Sequence, residues 1–237
     1  MKFKQLVALA FVLTFGVLLI IGLSQLDGFT PYQDADLSDR ISQEYVSEES
    51  FALDNALNRV TAIVVDFRSF DTLGEVTVLF ISSLGVALLL GASQKNHMKL
   101  DFKPNFMLKT GSRFIVSIML ITGLMIVVHG HLTPGGGFPG GAMIASSLLL
   151  LYLSDDEFRA QMKRFKVLES ISGILYVTVG LVGLFVAQVF LANFLDQGVL
   201  GDLISGGIIP IVYVLIGLKV GSEITGIIDE FLTEEAK

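Results

Sequence analysis

The 237-residue chain is 52% hydrophobic and 16% charged, with a mean hydropathy of +0.71, more apolar than a soluble core of this size needs; it reads as an integral membrane protein. Cysteine is absent, which excludes disulfides, thiolate nucleophiles, iron–sulfur ligation and cysteine-ligated zinc, and with them most electron-transfer chemistry. The net charge of −7 comes largely from one segment near the N-terminus, and the alternating pattern of a membrane barrel is missing, so an all-α polytopic fold is expected.

The first apolar run, 6–23, follows MKFK and ends near the small residues Gly22 and Ser24, as a cleaved signal would. Its eighteen residues exceed a signal core of about 7 to 15, which favours a retained anchor. From 27 to 54 eight acids (Asp27, Asp34, Asp36, Asp39, Glu44, Glu48, Glu49 and Asp54) face Arg40 alone; they form a solvated loop or draw cations toward an entrance. Over 51–67 the positions Leu53, Leu57, Val60, Val64 and Phe67 follow helical spacing, with Asn55, Asn58 and Arg59 on the other side. That pattern predicts an amphipathic helix lying on or dipping into the membrane surface.

VDFRSFDTLGE, residues 65–75, places Asp66, Arg68, Asp71 and Glu75 at the entry of the second span, 76–92. Asp71 and Glu75 are four apart and share a helix face, where paired carboxylates can bind or relay a proton or a sodium ion. The same residues also fit a capping box, Thr72 bonding the backbone three residues on and Glu75 reaching back.

A third span, 114–128, leads into HGHLTPGGGFPGG, residues 129–141, which holds two of the chain's three histidines. His129 and His131 are two apart, diverge on a helix and lack a third ligand, which argues against metal. The missing lysine and serine or threonine exclude a phosphate loop. What is left is backbone: Pro134 and Pro139 start or end helices, and Gly135, Gly136, Gly137, Gly140 and Gly141 permit tight turns and close helix approach. A histidine beside such a turn is also a candidate proton relay. The fourth span, 142–153, is short, but helical glycines can extend it outward.

A fifth span covers 171–191, and a sixth 208–218. The loop between them carries Asn193, Asp196 and Asp202, and its Gly206, Gly207 and Pro210 echo the earlier turn too weakly to be a repeat. Lys219 and Glu223, four apart, are further relay candidates. A helix starting at Ile208 would place Lys219 deep, about 17 Å in; one starting near Leu203, the expected case, lets it snorkel at the inner surface.

Basic residues orient the spans. Lys2 and Lys4 precede the first; Lys95, Lys99, Lys103, Lys109 and Arg113 precede the third; Arg159, Lys163, Arg164 and Lys166 follow the fourth. The positive-inside rule makes these cytoplasmic, so about six helices with both termini in the cytoplasm are expected.

HGHLTPGGGFPGG and the later GLKVGSEITGI, residues 217–227, resemble the MnhB/MrpB subunit of Mrp-type sodium/proton antiporters, where TPGGGFQGG is usual and Pro139 here replaces the glutamine. VDFRSFDTLGEVTVLFISSLGV, residues 65–86, is similar to the C-terminal extension of the large MrpA subunit, which stands alone as MbhE in membrane-bound hydrogenases. The resemblance implies a fusion: an MbhE-like segment over 1–104 and an MnhB-like (MbhF-like) four-helix domain over 105–237. It also implies that Asp71 and Glu75 border a cation or proton path, with Asp66 and Arg68 setting their charge environment and the glycine turn packed against neighbouring subunits.

The expected function is that of an accessory, non-catalytic subunit of a multisubunit cation/proton antiporter in the cell membrane, moving Na+ and H+ without cofactor or metal, beside other Mrp- or Mbh-type subunits and with no nucleic-acid partner. The rival readings are the same module within a hydrogenase or ferredoxin-oxidising respiratory complex, a purely structural scaffold, and a standalone enzyme or receptor.

Overall fold

A computed structural model describes residues 13, 14, 16–18, 20, 21, 55–90, 95–97, 104–155, 158 and 160–235. The long apolar runs are helices, as they must be where no water is present to satisfy backbone polar groups. They are α1 (Ser69–Leu90), α2 (Phe106–Val128), α3 (Gly137–Ser154), α4 (Met162–Ala187) and α5 (Ile209–Phe231). Among the described residues these five are long and apolar enough to cross a membrane. The expected span over 6–23 lies largely outside the described residues; those described within it are helical. Two three-residue strands, β1 (Lys95–His97) and β2 (Thr233–Glu235), pair antiparallel, with Asn96 opposite Glu234. The chain forms two compact units, Met1–Glu44 and Tyr45–Lys237, and all five helices belong to the second.

Within that unit α5 is the centre: Ile209, Val212, Ile216 and Val220 are buried, and α1, α2, α3 and α4 all pack on it. By contrast α1 buries one narrow stripe, Ser69, Thr72 and Val76, and leaves Val78, Ile81, Leu88 and Leu89 bare. Apolar residues exposed on this scale face lipid or other subunits.

Helix ends depart from the hydropathy pattern where polar residues are paired. α2 starts at Phe106, eight residues before its apolar run, because the Asn105 side chain accepts the Leu108 N–H at 2.8 Å and caps it. The early start puts Lys109 and Arg113 inside the helix, where both reach Asp155 at the end of α3, each at 2.9 Å. This two-on-one ion cluster clamps α2 to α3, and Asp155 is nearly buried within it.

The segment expected as an amphipathic α-helix is a helical turn, Arg59–Thr61, capped by Asn58, that widens into a π-helical segment, Ala62–Phe67. Residues 51–54 lie outside the described residues. Leu57, Val60 and Phe67 form its outward apolar side, while Ala56, Ala62 and Val65 join the core.

Candidate functional site

The π-helical segment delivers the acids. Its last turn closes with the Arg68 N–H on the Ile63 carbonyl, and α1 begins at Ser69. The Thr72 hydroxyl donates to the Val64 carbonyl at 2.6 Å and ties α1 to the segment before it. That corrects the capping-box expectation: Thr72 is buried inside a helix already under way, so it caps nothing. Asp71 lies in the first turn of α1, where a negative charge is favoured, and accepts from Arg68 Nε at 2.7 Å on an exposed face. Glu75 follows one turn further into the helix on the same exposed face. Asp66 is partly buried on the π-helical segment. Glu75 is also within electrostatic reach of the Tyr176 hydroxyl on α4.

Lys219 and Glu223 sit at mid-helix, which overturns the shallow placement. Asn193 fixes this: its side-chain oxygen accepts the Ile208 N–H at 3.0 Å and its amide donates to the Gly206 carbonyl at 3.1 Å. Gly206 and Gly207 both take positive φ, 80° and 62°, so no helix can run through them from Leu203. α5 therefore starts at Ile209, and Lys219 lies ten residues, about 15 Å, along it. The Lys219 ammonium is 2.7 Å from Glu223 Oε1, and Glu223 is completely buried. Apart from this ion pair, neither carboxylate oxygen has a hydrogen-bond donor among the described residues. The ammonium also lies 4.7 Å from the centroid of the Phe80 ring on α1 and beside Gly173 on α4.

Next to this pair, toward the C-terminal end of α5, a cavity of about 180 Å³ is lined by Ser83, Lys166, Glu169, Ser222, Asp229 and Glu230 among others. Ionisable and hydroxyl groups therefore occur at three levels along the seam of α1, α4 and α5: Glu75 with Tyr176, then Lys219 with Glu223, then the cavity. The sequence shows Glu75, beside Asp71, and the Lys219–Glu223 pair, but not Tyr176, Phe80, Glu169 and Asp229. Phe80 is on α1, Glu169 and Tyr176 on α4 and Asp229 on α5, so it takes the packing of three helices to bring them to one seam.

The glycine–proline turn is built for packing. Gly136 has φ 128°, a conformation open to glycine, and α3 begins at Gly137, with Pro139 in its first turn. Gly140 and Gly141 bring α3 against backbone on both sides: a β-carbon would lie 2.9 Å from the Gly123 oxygen of α2 at the first, and 2.8 Å from the Gly217 oxygen of α5 at the second. The neighbours taken up by these two glycines are helices of the same chain. Gly135 lies against Ile126 of α2, and Pro134 is exposed in the turn.

Asn58 locks the turn from outside. Its amide donates to the Gly130 and Thr133 carbonyls, both at 2.9 Å, and its backbone N–H to the His131 carbonyl. The Thr61 hydroxyl adds a bond to Gly130, and Tyr213 of α5 donates to Thr61 at 2.8 Å. The two candidate histidines separate here. His129 is partly exposed, with Nδ1 3.2 Å from the Met125 carbonyl. The His131 ring is fully buried and faces the backbone of Asp202 and Leu203. Burial holds its pKa below the ordinary 6.5, partly offset by the Asp202 and Leu203 backbone. A depressed folded pKa means that the unfolded chain takes the proton first. Stability from neutral His131 is therefore full above about pH 6.5 and is lost as pH falls through the lower folded value. The protection of residues 129–136 against hydrogen exchange, corrected for the intrinsic pH dependence of amide exchange, is expected to fall as pH drops below about 6.5, and His131→Phe to flatten that dependence. Among the described residues no group of three or more histidine or acidic side chains is placed to hold a metal ion.

Two family models match the chain: the domain related to the MnhB subunit of Na+/H+ antiporters over 107–226, and the MbhE component of MBH over 15–99. A chain of the membrane-bound sulfane sulfur reductase, an archaeal respiratory membrane complex, superposes with a TM-score of 0.74 at 41% identity, covering 98% of this chain and 99% of that one. A chain of the Mrp complex from Dietzia sp. DQ12-45-1b gives 0.66 at 24% identity, over 98% of this chain and 26% of that one, a likeness of fold. An uncharacterised protein of Methanocaldococcus jannaschii is 29% identical over 189 residues, 69% of this chain and 72% of its own. With five apolar helices and the MnhB-related model matching just over half of its length, the chain is a multi-pass membrane protein that belongs to the family of domains related to the MnhB subunit of Na+/H+ antiporters, joined to a segment of the MbhE type.

Proposed function

We propose that the protein is an accessory, non-catalytic membrane subunit of a multisubunit cation/proton antiporter module, with Na+ and H+ as the transported ions and no resident cofactor. The observation that carries this reading is the completely buried Glu223, paired with Lys219 at mid-helix beside a polar cavity. A charged pair at that depth is costly to bury, which supports a role in the passage of an ion. Glu75, Asp71, Arg68 and Asp66 form the other end of the path, and Glu75, on the bare face of α1, meets a partner subunit or water there. His129, partly exposed, suits a proton relay better than the enclosed His131. The turn of Pro134 to Gly141 sets the helix spacing on which the seam depends.

A second reading, the same module inside a respiratory complex, is favoured by the nearly end-to-end match with the sulfane sulfur reductase chain. Purification through a tag on this chain tests both. Other membrane subunits are expected to accompany it, and the complex in liposomes to exchange sodium for protons. Redox subunits in the preparation select the second reading; a chain that purifies alone, without exchange activity, overturns both.

A further inference from the structure

The basic end of α4 carries two apolar grooves with no role in the ion seam. The larger, about 480 Å³, lies between α3 and α4 and is lined by Leu148, Phe158, Gln161, Arg164, Phe165 and Leu168, with Ala160 at its edge. The second, about 300 Å³, is lined by Lys163, Arg164, Val167, Leu168 and Ile171. The grooves share Arg164 and Leu168, one turn apart, so they flank a single ridge whose charged head is the Arg164 guanidinium. Below that head both are apolar: Leu148, Phe165 and Leu168 on one side, Val167 and Ile171 on the other.

We propose that this ridge binds one anionic diacyl phospholipid, its phosphate held by Arg164 and Lys163 and one acyl chain lying in each groove. Three observations select that occupant. Among the described residues no carboxylate lines either groove and neither Lys163 nor Arg164 has a side-chain ion pair or hydrogen bond, and both cations are exposed at the basic end of α4. The nearby Asp155 does not neutralise them, being occupied by Lys109 and Arg113. Finally, Ile171 lies seven residues beyond Arg164, about 10 Å deeper, so each charge sits at headgroup level above an apolar wall, the order in which a phospholipid presents phosphate and tails. A transmembrane helix of another subunit would fill an apolar groove but leave the two cations unmatched. The chemistry is shared with free phosphate, but free phosphate leaves the grooves empty.

The test uses the purified complex, depleted of lipid in detergent and titrated with phosphatidylglycerol, phosphatidylcholine or inorganic phosphate while bound lipid is counted by native mass spectrometry. Phosphatidylglycerol is expected to bind in preference to phosphatidylcholine, and Lys163→Gln with Arg164→Gln to weaken it by about thirtyfold, near 1 kcal/mol per charge. Leu168→Trp, which puts a bulky ring on the ridge shared by the two grooves and keeps both charges, is expected to weaken lipid binding as well. All three positions are exposed, so these variants keep the helix packing, and unchanged subunit stoichiometry verifies it. Equal retention of the two lipids, retention unaffected by the variants, or displacement by inorganic phosphate alone would overturn the proposal, as would a photo-crosslinker at Leu168 that captures protein instead of lipid.

Discussion

Lys219→Met is expected to destabilise the assembled protein by about 3 to 5 kcal/mol, because it leaves the Glu223 carboxylate buried without its cation. Glu223→Leu strands the ammonium in the same way, beside the Phe80 ring and Gly173. The double variant Lys219→Met with Glu223→Leu removes both charges, and most of the stability returns, since a buried ion pair is worth little more than an apolar pair of similar volume. Thermal unfolding of the four proteins closes a double-mutant cycle in which the double variant loses far less than the sum of the two single losses, and transport is expected to be lost in all three variants. Additive losses would mean that the two side chains do not act as a pair. Full transport in the stable double variant would leave the pair a structural role only.

Gly141→Leu is expected to abolish accumulation of the folded chain. A β-carbon there meets the Gly217 oxygen at 2.8 Å and the Gly221 nitrogen at 3.0 Å, which are backbone atoms that cannot swing aside. Even Gly141→Ala forces α3 away from α5, for about 1 to 3 kcal/mol of overpacking. Gly111, in α2, has nothing within 4 Å of such a carbon, so Gly111→Ala gains helix propensity of about 0.5 to 1 kcal/mol and serves as the control. Membrane yield and detergent stability of the three variants measure the contrast; equal loss at Gly111 and Gly141 would place the damage outside the α3–α5 contact.

The five spans among the described residues are legible in the apolar runs, because a span must be a helix long enough to cross. Helix ends are not, because polar residues that look like loop are drawn into helices by partners far along the chain. Lys109 and Arg113 read only as orientation signals, yet both end on Asp155, more than forty residues away. The depth of Lys219 hung on where α5 begins, and that is decided by Asn193 holding Ile208 across the loop, a contact no periodicity announces. The acids of DTLGE were visible as a motif. Their setting was not: the chain enters α1 through a π-helical turn, which places Thr72 against Val64 and frees Glu75 from any capping duty. The glycines were legible as a close-approach device, whereas their neighbours, α2 and α5 of the same chain, needed the fold.

The central claim is that cations or protons travel past the carboxylates presented by this chain. Its most direct test is sodium-driven proton exchange by the assembled complex in liposomes, comparing the unmodified chain with Asp71→Asn and Glu75→Gln at matched subunit stoichiometry. Exchange falling to the level of empty liposomes in Glu75→Gln, with a smaller loss in Asp71→Asn, is the predicted result. Unchanged exchange in both variants would contradict it and leave the chain a scaffold.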